Sequence, residues 1–174
     1  PASVQRPASR AQTPLTSFVG RDEDVSLVLK NLRAARLVTL TGPGGVGKTR
    51  LVTRLAWTRR TDYPGGVWFC DLSQARGVNG IVFAVAQGLE VPLGQSDPVV
   101  QLGQAIAGRG NCLVILDNFE QVAKFAEETL GRWLERAPQA QFLVTTREVL
   151  GVVGEEVFAV SPLESNDAIE LFLK

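Results

Sequence analysis

The sequence predicts an α/β fold built on a parallel sheet, from three observations. Short apolar runs near 37–40, 67–72, 112–117, 141–145 and 156–160 alternate with stretches of helical periodicity. The runs are almost wholly apolar rather than alternating, as strands are when helices cover both sheet faces. Turn clusters such as Tyr63-Pro64-Gly65-Gly66 punctuate them. Strands that alternate with helices imply right-handed crossovers and parallel pairing.

The elements follow in order. Residues 1–16, rich in Pro, Ser, Ala, Gln and Arg with no acidic residue, cannot build a core and read as a flexible linker. A helix is expected from about Asp22 to Ala34, with Asp22, Glu23 and Asp24 suiting the positive end of its dipole and Val25, Leu29 and Leu32 on one face. The strand Leu37–Leu40 leads into a glycine-rich turn and then a helix from Lys48 to about Thr61, with Leu51, Leu55 and Trp57 packed inward. The strand at 67–72 precedes helical patterns at 78–90 and 97–108, separated by Pro92 and Gly94. The third strand, 112–117, ends in a carboxylate, and one long helix, 120–136, stops before Pro138. The fourth strand runs into Thr146-Arg147, the fifth covers Glu156–Val160, and the run 164–174 reads as an incomplete helix.

Composition narrows the function. With 174 residues, 45% apolar and 21% charged, the chain has material for one globular core. Zero formal net charge gives no general argument for nucleic acid or an anionic membrane as partner, and no apolar run approaches a membrane span. The absence of histidine excludes His-based acid–base catalysis and His–metal sites. Cys70 and Cys112 lie inside apolar runs and read as buried free thiols of a reducing, cytoplasmic compartment. The chain begins without methionine and stops within an apolar-periodic run, so a piece of a longer protein is expected.

The chemistry is expected at the carboxyl ends of the strands. Gly42, Gly47, Lys48 and Thr49 fill the G-x-x-x-x-G-K-[ST] phosphate-loop pattern, with a strand before and a helix after. Gly42, Gly44, Gly45 and Gly47 let backbone N–H groups converge on an anion, and the following helix adds its unpaired N–H donors. Lys48 offers a charge to β- and γ-phosphates, and Thr49 a hydroxyl to Mg²⁺. Asp117, closing an apolar strand, matches the Mg²⁺-holding Walker B carboxylate. Arg147 reads either as a reporter of the γ-phosphate or as a capping or ion-paired arginine. The position after Asp117 holds Asn118, which cannot act as a base. Glu120 is then the nearest catalytic carboxylate, and reads as readily as a first-turn helix residue, so fast turnover is not supported. No N/T-K-x-D element is present to read guanine, which leaves adenine as the expected base.

Four ordered motifs then carry a resemblance spanning about residues 15–174. Phe18-Val19-Gly20-Arg21-Asp22-Glu23 resembles hhGRxxE, and Gly42-Pro43-Gly44-Gly45-Val46-Gly47-Lys48-Thr49 resembles the GPGGVGKT loop. Residues 113–118 resemble the Walker B strand and residues 142–148 the sensor strand of the signal-transduction ATPases with numerous domains (STAND), close to the NB-ARC domain. The wording is most similar to the ATPase modules of large bacterial transcriptional regulators of the LuxR and antibiotic-regulator types.

That resemblance implies a three-layer P-loop NTPase sandwich over residues 17–162, with a five-stranded parallel sheet in the order 2-3-4-1-5 (the ASCE type). It implies adenine or ribose contacts from Val19 and Arg21, and phosphate contacts along Gly42–Thr49 and Arg50. It implies ATP or ADP with Mg²⁺ as ligands, and residues 163–174 as the start of a truncated helical domain. The expected role is a nucleotide switch with slow or partner-dependent hydrolysis. Its partners would be helical, winged-helix and DNA-binding domains of a parent chain, with self-association on exchange and no direct nucleic-acid contact. A working ATPase motor and an inert scaffold are the alternatives.

Overall fold

A computed structural model describes residues 21–162. Val19, the linker 1–16 and the run 163–174 lie outside the described residues. Strands β1 (Leu37–Thr41), β2 (Val67–Asp71), β3 (Leu113–Asp117), β4 (Gln141–Thr146) and β5 (Glu155–Ala159) form one sheet in the order β2-β3-β4-β1-β5. Every pairing in it is parallel. The order implied by the resemblance is the observed one.

Helices α1 (Asp22–Ala34) and α2 (Lys48–Arg59) cover one face, and α3 (Gly77–Leu89), α4 (Pro98–Gly108) and α5 (Arg132–Arg136) cover the other. Alternation along the strands feeds both layers. Val114, Leu116, Phe142 and Val144 join α3–α5 in one core, while Leu113, Ile115, Leu143, Val38 and Leu40 join α1 and α2 in the other. Burial on both faces is why the strands read as unbroken apolar runs.

Two expectations are corrected, and the α1 face holds. The long helix of 120–136 is broken into a 3₁₀ stretch at Phe119–Phe125, a π turn at Glu127–Gly131 and the short α5. Asn118 is left-handed (φ 61°) and Val122 is non-helical (φ −121°, ψ 15°), so the winding changes. It thereby buries Phe119, Val122, Ala126, Leu130 and Trp133 in one core. Helix α2 ends at Arg59, before a 3₁₀ turn at Arg60–Asp62, and Trp57 is half-buried with the Arg60 guanidinium 4.0 Å from its ring centroid. On α1 the fully buried residues are Val28 and Leu32, with Val25 and Leu29 at the margin. Both cysteines are free and buried, as expected.

Candidate functional site

The site assembles where β1, β3 and β4 end. Strand β1 passes into the loop at Gly42, and Gly45 (φ 80°) and Gly47 (φ 100°) occupy the left-handed region that favours glycine. Gly47 is the residue before α2, so the turn that wraps the loop also delivers the N-terminus of a 12-residue helix.

Lys48 is buried, and its ammonium donates to the carbonyls of Gly42 at 2.5 Å and Pro43 at 3.0 Å. The cation is therefore held inside the curl of the loop. Burial lowers its pKa, an effect opposed by the Glu120 and Asp117 carboxylates.

Asp117 is buried at the tip of β3, facing Thr49 and Thr145. The Thr49 hydroxyl lies 3.1 Å from both carboxylate oxygens, and the Thr145 hydroxyl donates to Oδ1. Burial raises the Asp117 pKa, while the two threonine hydroxyls pull it down and the Asp71 and Glu120 charges add to the rise. A buried carboxylate beside a loop hydroxyl is a fitting pair for Mg²⁺. Among the described residues no group of three or more His, Cys, Asp or Glu could hold a metal without further ligands. Phosphate and water oxygens would complete the shell, as is usual for Mg²⁺.

Around that pair, Asn118 donates from its side-chain amide to Asp117 Oδ2 at 3.2 Å and Asp71 Oδ1 at 3.4 Å, and its backbone N–H donates to the Thr145 hydroxyl at 2.9 Å. Burial works to raise the Asp71 pKa, but hydrogen bonds from Ser73 and Asn118 outweigh it and hold the carboxyl below its ordinary value. Asp71 and the bridging role of Thr145 were not read from the sequence. The sequence shows only that both apolar strands end in Asp; that Asp71 and Asp117 are paired is a matter of register, which the structure supplies.

Arg147 follows β4 and lies against the loop, where a Cβ built on Gly44 would come 2.8 Å from its Nη2. Its Nε is 4.0 Å from Glu120 Oε1, and the other Glu120 oxygen is buried without a hydrogen-bond partner. Arg21 is buried on the far side of the loop. It donates to the Val46 carbonyl at 2.6 Å, to Asp24 at 2.8 Å and to the Ser161 carbonyl at 2.7 Å. Arg50, the residue after Thr49, lies exposed on the first turn of α2.

A phosphate loop, a buried β3 carboxylate and the 2-3-4-1-5 sheet define a P-loop NTPase. The chain belongs to the AAA domain family, whose model matches residues 31–153. An uncharacterized protein of Mycobacterium tuberculosis is 32% identical over 160 residues, covering 91% of this chain and 41% of that protein. A second protein of that organism, provisionally named an HTH-type transcriptional regulator, is 30% identical over 138 residues, covering 79% of this chain and 15% of its own length. The chain thus spans less than half of these relatives. Among solved structures, a STAND protein with a tetratricopeptide repeat sensor from Pyrococcus horikoshii superposes with a TM-score of 0.64 at 17% identity, over 94% of this chain and 26% of that one. Cdc6p from Pyrobaculum aerophilum gives 0.68 at 15% identity, over 93% and 50%. At such identities the likeness is one of fold. No helix among the described residues is long and apolar enough to cross a membrane.

Proposed function

We propose that this chain is the adenine-nucleotide switch of a larger regulatory protein, binding ATP or ADP with Mg²⁺ and hydrolysing ATP slowly. The observation that carries the reading is the convergence of Lys48, Thr49, Asp117 and Arg147 on one loop from three different strands. Lys48 and the loop N–H groups bind the phosphates, Thr49 and Asp117 hold the metal, and Arg147 beside Gly44 meets the terminal phosphate. Bound Mg²⁺ neutralises developing charge on the phosphates. The regulatory setting is supported by the relative named for transcriptional regulation and the neighbour named for signal transduction. Other domains of a parent chain and nucleotide-dependent self-association are the partners that fit.

Hydrolysis at this site would run through Glu120, because Asn118 is no base. The buried, unpartnered Glu120 oxygen favours this. Water oxygen attacks the γ-phosphorus, the bond to the β,γ-bridging oxygen breaks, and the proton of water passes to Glu120. Arg147, within reach of both Glu120 and the loop, would link that carboxylate to a γ-phosphate bound in the loop.

Thermal unfolding with Mg²⁺ plus ATP, ADP or GTP tests the reading, with Lys48→Ala as control. At a hundredfold excess over Kd, binding stabilises by about 2.7 kcal/mol, or roughly 5–10 °C for a domain of this size. A shift with adenine nucleotides that disappears in Lys48→Ala is the expected result. No shift with any nucleotide would sink the proposal.

A further inference from the structure

At the amino end of the sheet, opposite the phosphate loop, lies a cleft of about 420 Å³. Three arginines converge on it from separate elements: Arg33 from the end of α1, Arg36 from the link to β1, and Arg59 from the end of α2. Asp62 is the single carboxylate in the lining, 3.7 Å from Arg59. The cleft is thus a local excess of positive charge in a chain whose formal net charge is zero.

Helix C-termini attract arginines, and Arg33 and Arg59 sit in the last turns of α1 and α2. That accounts for their presence on those helices. It does not account for Arg36, which lies outside any helix and is anchored through Nη1 to the Ala137 carbonyl at 3.1 Å, leaving its other donors to the cleft. The floor is rigid and already satisfied: the buried Tyr63 hydroxyl donates to Gln141 Oε1 at 2.7 Å, and the Gln141 amide donates to the Leu32 carbonyl. The rim is open to solvent: Arg33, Asn111 and Gln139 are exposed there, with donors that a ligand can take over from water. A concave space with a fixed floor and a few convergent polar groups is how small-ligand sites are built.

We infer that this cleft binds a small phosphate monoester. Guanidinium forks match phosphate oxygens two at a time. The volume exceeds that of a bare phosphate ion and leaves room for an organic moiety beside it. Strands β1, β3 and β4 all start beside the cleft and finish at the phosphate loop, Asp117 and Arg147. The cleft and the nucleotide site therefore lie at opposite ends of the same strands and can be scored separately.

The test is nuclear magnetic resonance on the intact chain, following arginine Nε–Hε signals during titration with ribose 5-phosphate, inorganic phosphate or citrate at about 150 mM salt. Amides of Gly44–Gly47 report separately on the phosphate loop, so failure of the nucleotide reading is scored independently. Saturable shifts of the Arg33, Arg36 and Arg59 signals with ribose 5-phosphate, at a Kd of about 1 mM or below, are expected. Arg33→Ala should weaken this about tenfold; Arg33 is exposed, so its removal leaves the fold intact. Shifts that grow without saturating would overturn the site. So would an Arg33→Ala affinity equal to that of the parent chain. Saturation by citrate alone would overturn the phosphate assignment.

Discussion

Replacing Thr145 by valine should cost far more than its neighbour's replacement, and the reason lies in two hydrogen bonds. The Thr145 hydroxyl donates to Asp117 Oδ1 and accepts from the Asn118 N–H at 2.9 Å, in a position that is 1% exposed. Valine keeps the shape and removes both bonds. The Asn118 N–H then loses its acceptor, and a buried carboxylate loses a donor. The orphaned N–H costs roughly 1–3 kcal/mol and the carboxylate, still held by Thr49 and Asn118, adds about 1 kcal/mol, so the sum is about 3 kcal/mol. For a domain of this size that lowers the thermal midpoint by roughly 6–12 °C. Thr146→Val is the control, since the Thr146 hydroxyl accepts only from the Glu148 N–H at 3.4 Å and is equally buried. Its cost should stay below about 1 kcal/mol. Urea unfolding at neutral pH measures both. The sign of the pH dependence follows from Asp117, whose pKa burial raises and the Thr145 bond pulls down. Losing that bond lets the folded-state value climb further. The added cost is present while Asp117 is charged and fades as pH falls through the range just above ordinary carboxylate values. Equal losses for the two variants would refute the claim that Thr145 sustains the Asp117 turn.

Further outcomes follow from the same geometry. Lys48→Ala should abolish the preference for ATP over ADP, a loss of roughly tenfold or more in ATP affinity by calorimetry, since it removes the only charge held within the curl of the loop. Glu120→Gln and Arg147→Ala should each slow single-turnover hydrolysis at least about tenfold, and the double variant should be no slower than the worse single one. Additive losses would show that the two act separately. Gly88→Ala should cost about 2 kcal/mol in urea, because its Cβ would sit 2.5 Å from Cys70 Sγ and 2.9 Å from the Phe69 carbonyl. Burial pushes the Cys70 thiol up to about 12 and Cys112 to about 11, so at pH 8 a maleimide should label neither until the chain is unfolded.

Strand positions and the loop were legible because they rest on runs of apolar residues and on residue types with few substitutes, whereas the sheet order came from the resemblance alone. Positive φ demands glycine at 45 and 47, and a loop cation and a metal hydroxyl leave little choice at 48 and 49. The segment after β3 was misread for a physical reason. Its apolar residues fall at spacings of three and four, which a continuous α-helix and a 3₁₀–π–α succession satisfy alike. The left-handed Asn118, tied to both Asp71 and Asp117, and the non-helical Val122 decide between them, and that tie is tertiary. Thr145 and Asp71 were invisible as partners of Asp117 for the same reason: a residue's cross-strand neighbour depends on register, which a single apolar run does not encode. Arg21 was expected over the base. Its hydrogen bonds to the loop carbonyl of Val46, to Asp24 and to Ser161 depend on contacts that the motif does not spell out.

That arginine has an architectural consequence. A single guanidinium joins the start of α1, the rim of the phosphate loop and the backbone two residues beyond β5. Residue 21 and residue 161, near the two limits of the described chain, are therefore tied to each other and to the loop at Val46. One side chain thus acts as a clasp across more than a hundred residues of sequence, and its removal would free the start of α1, the loop rim and the segment after β5 together.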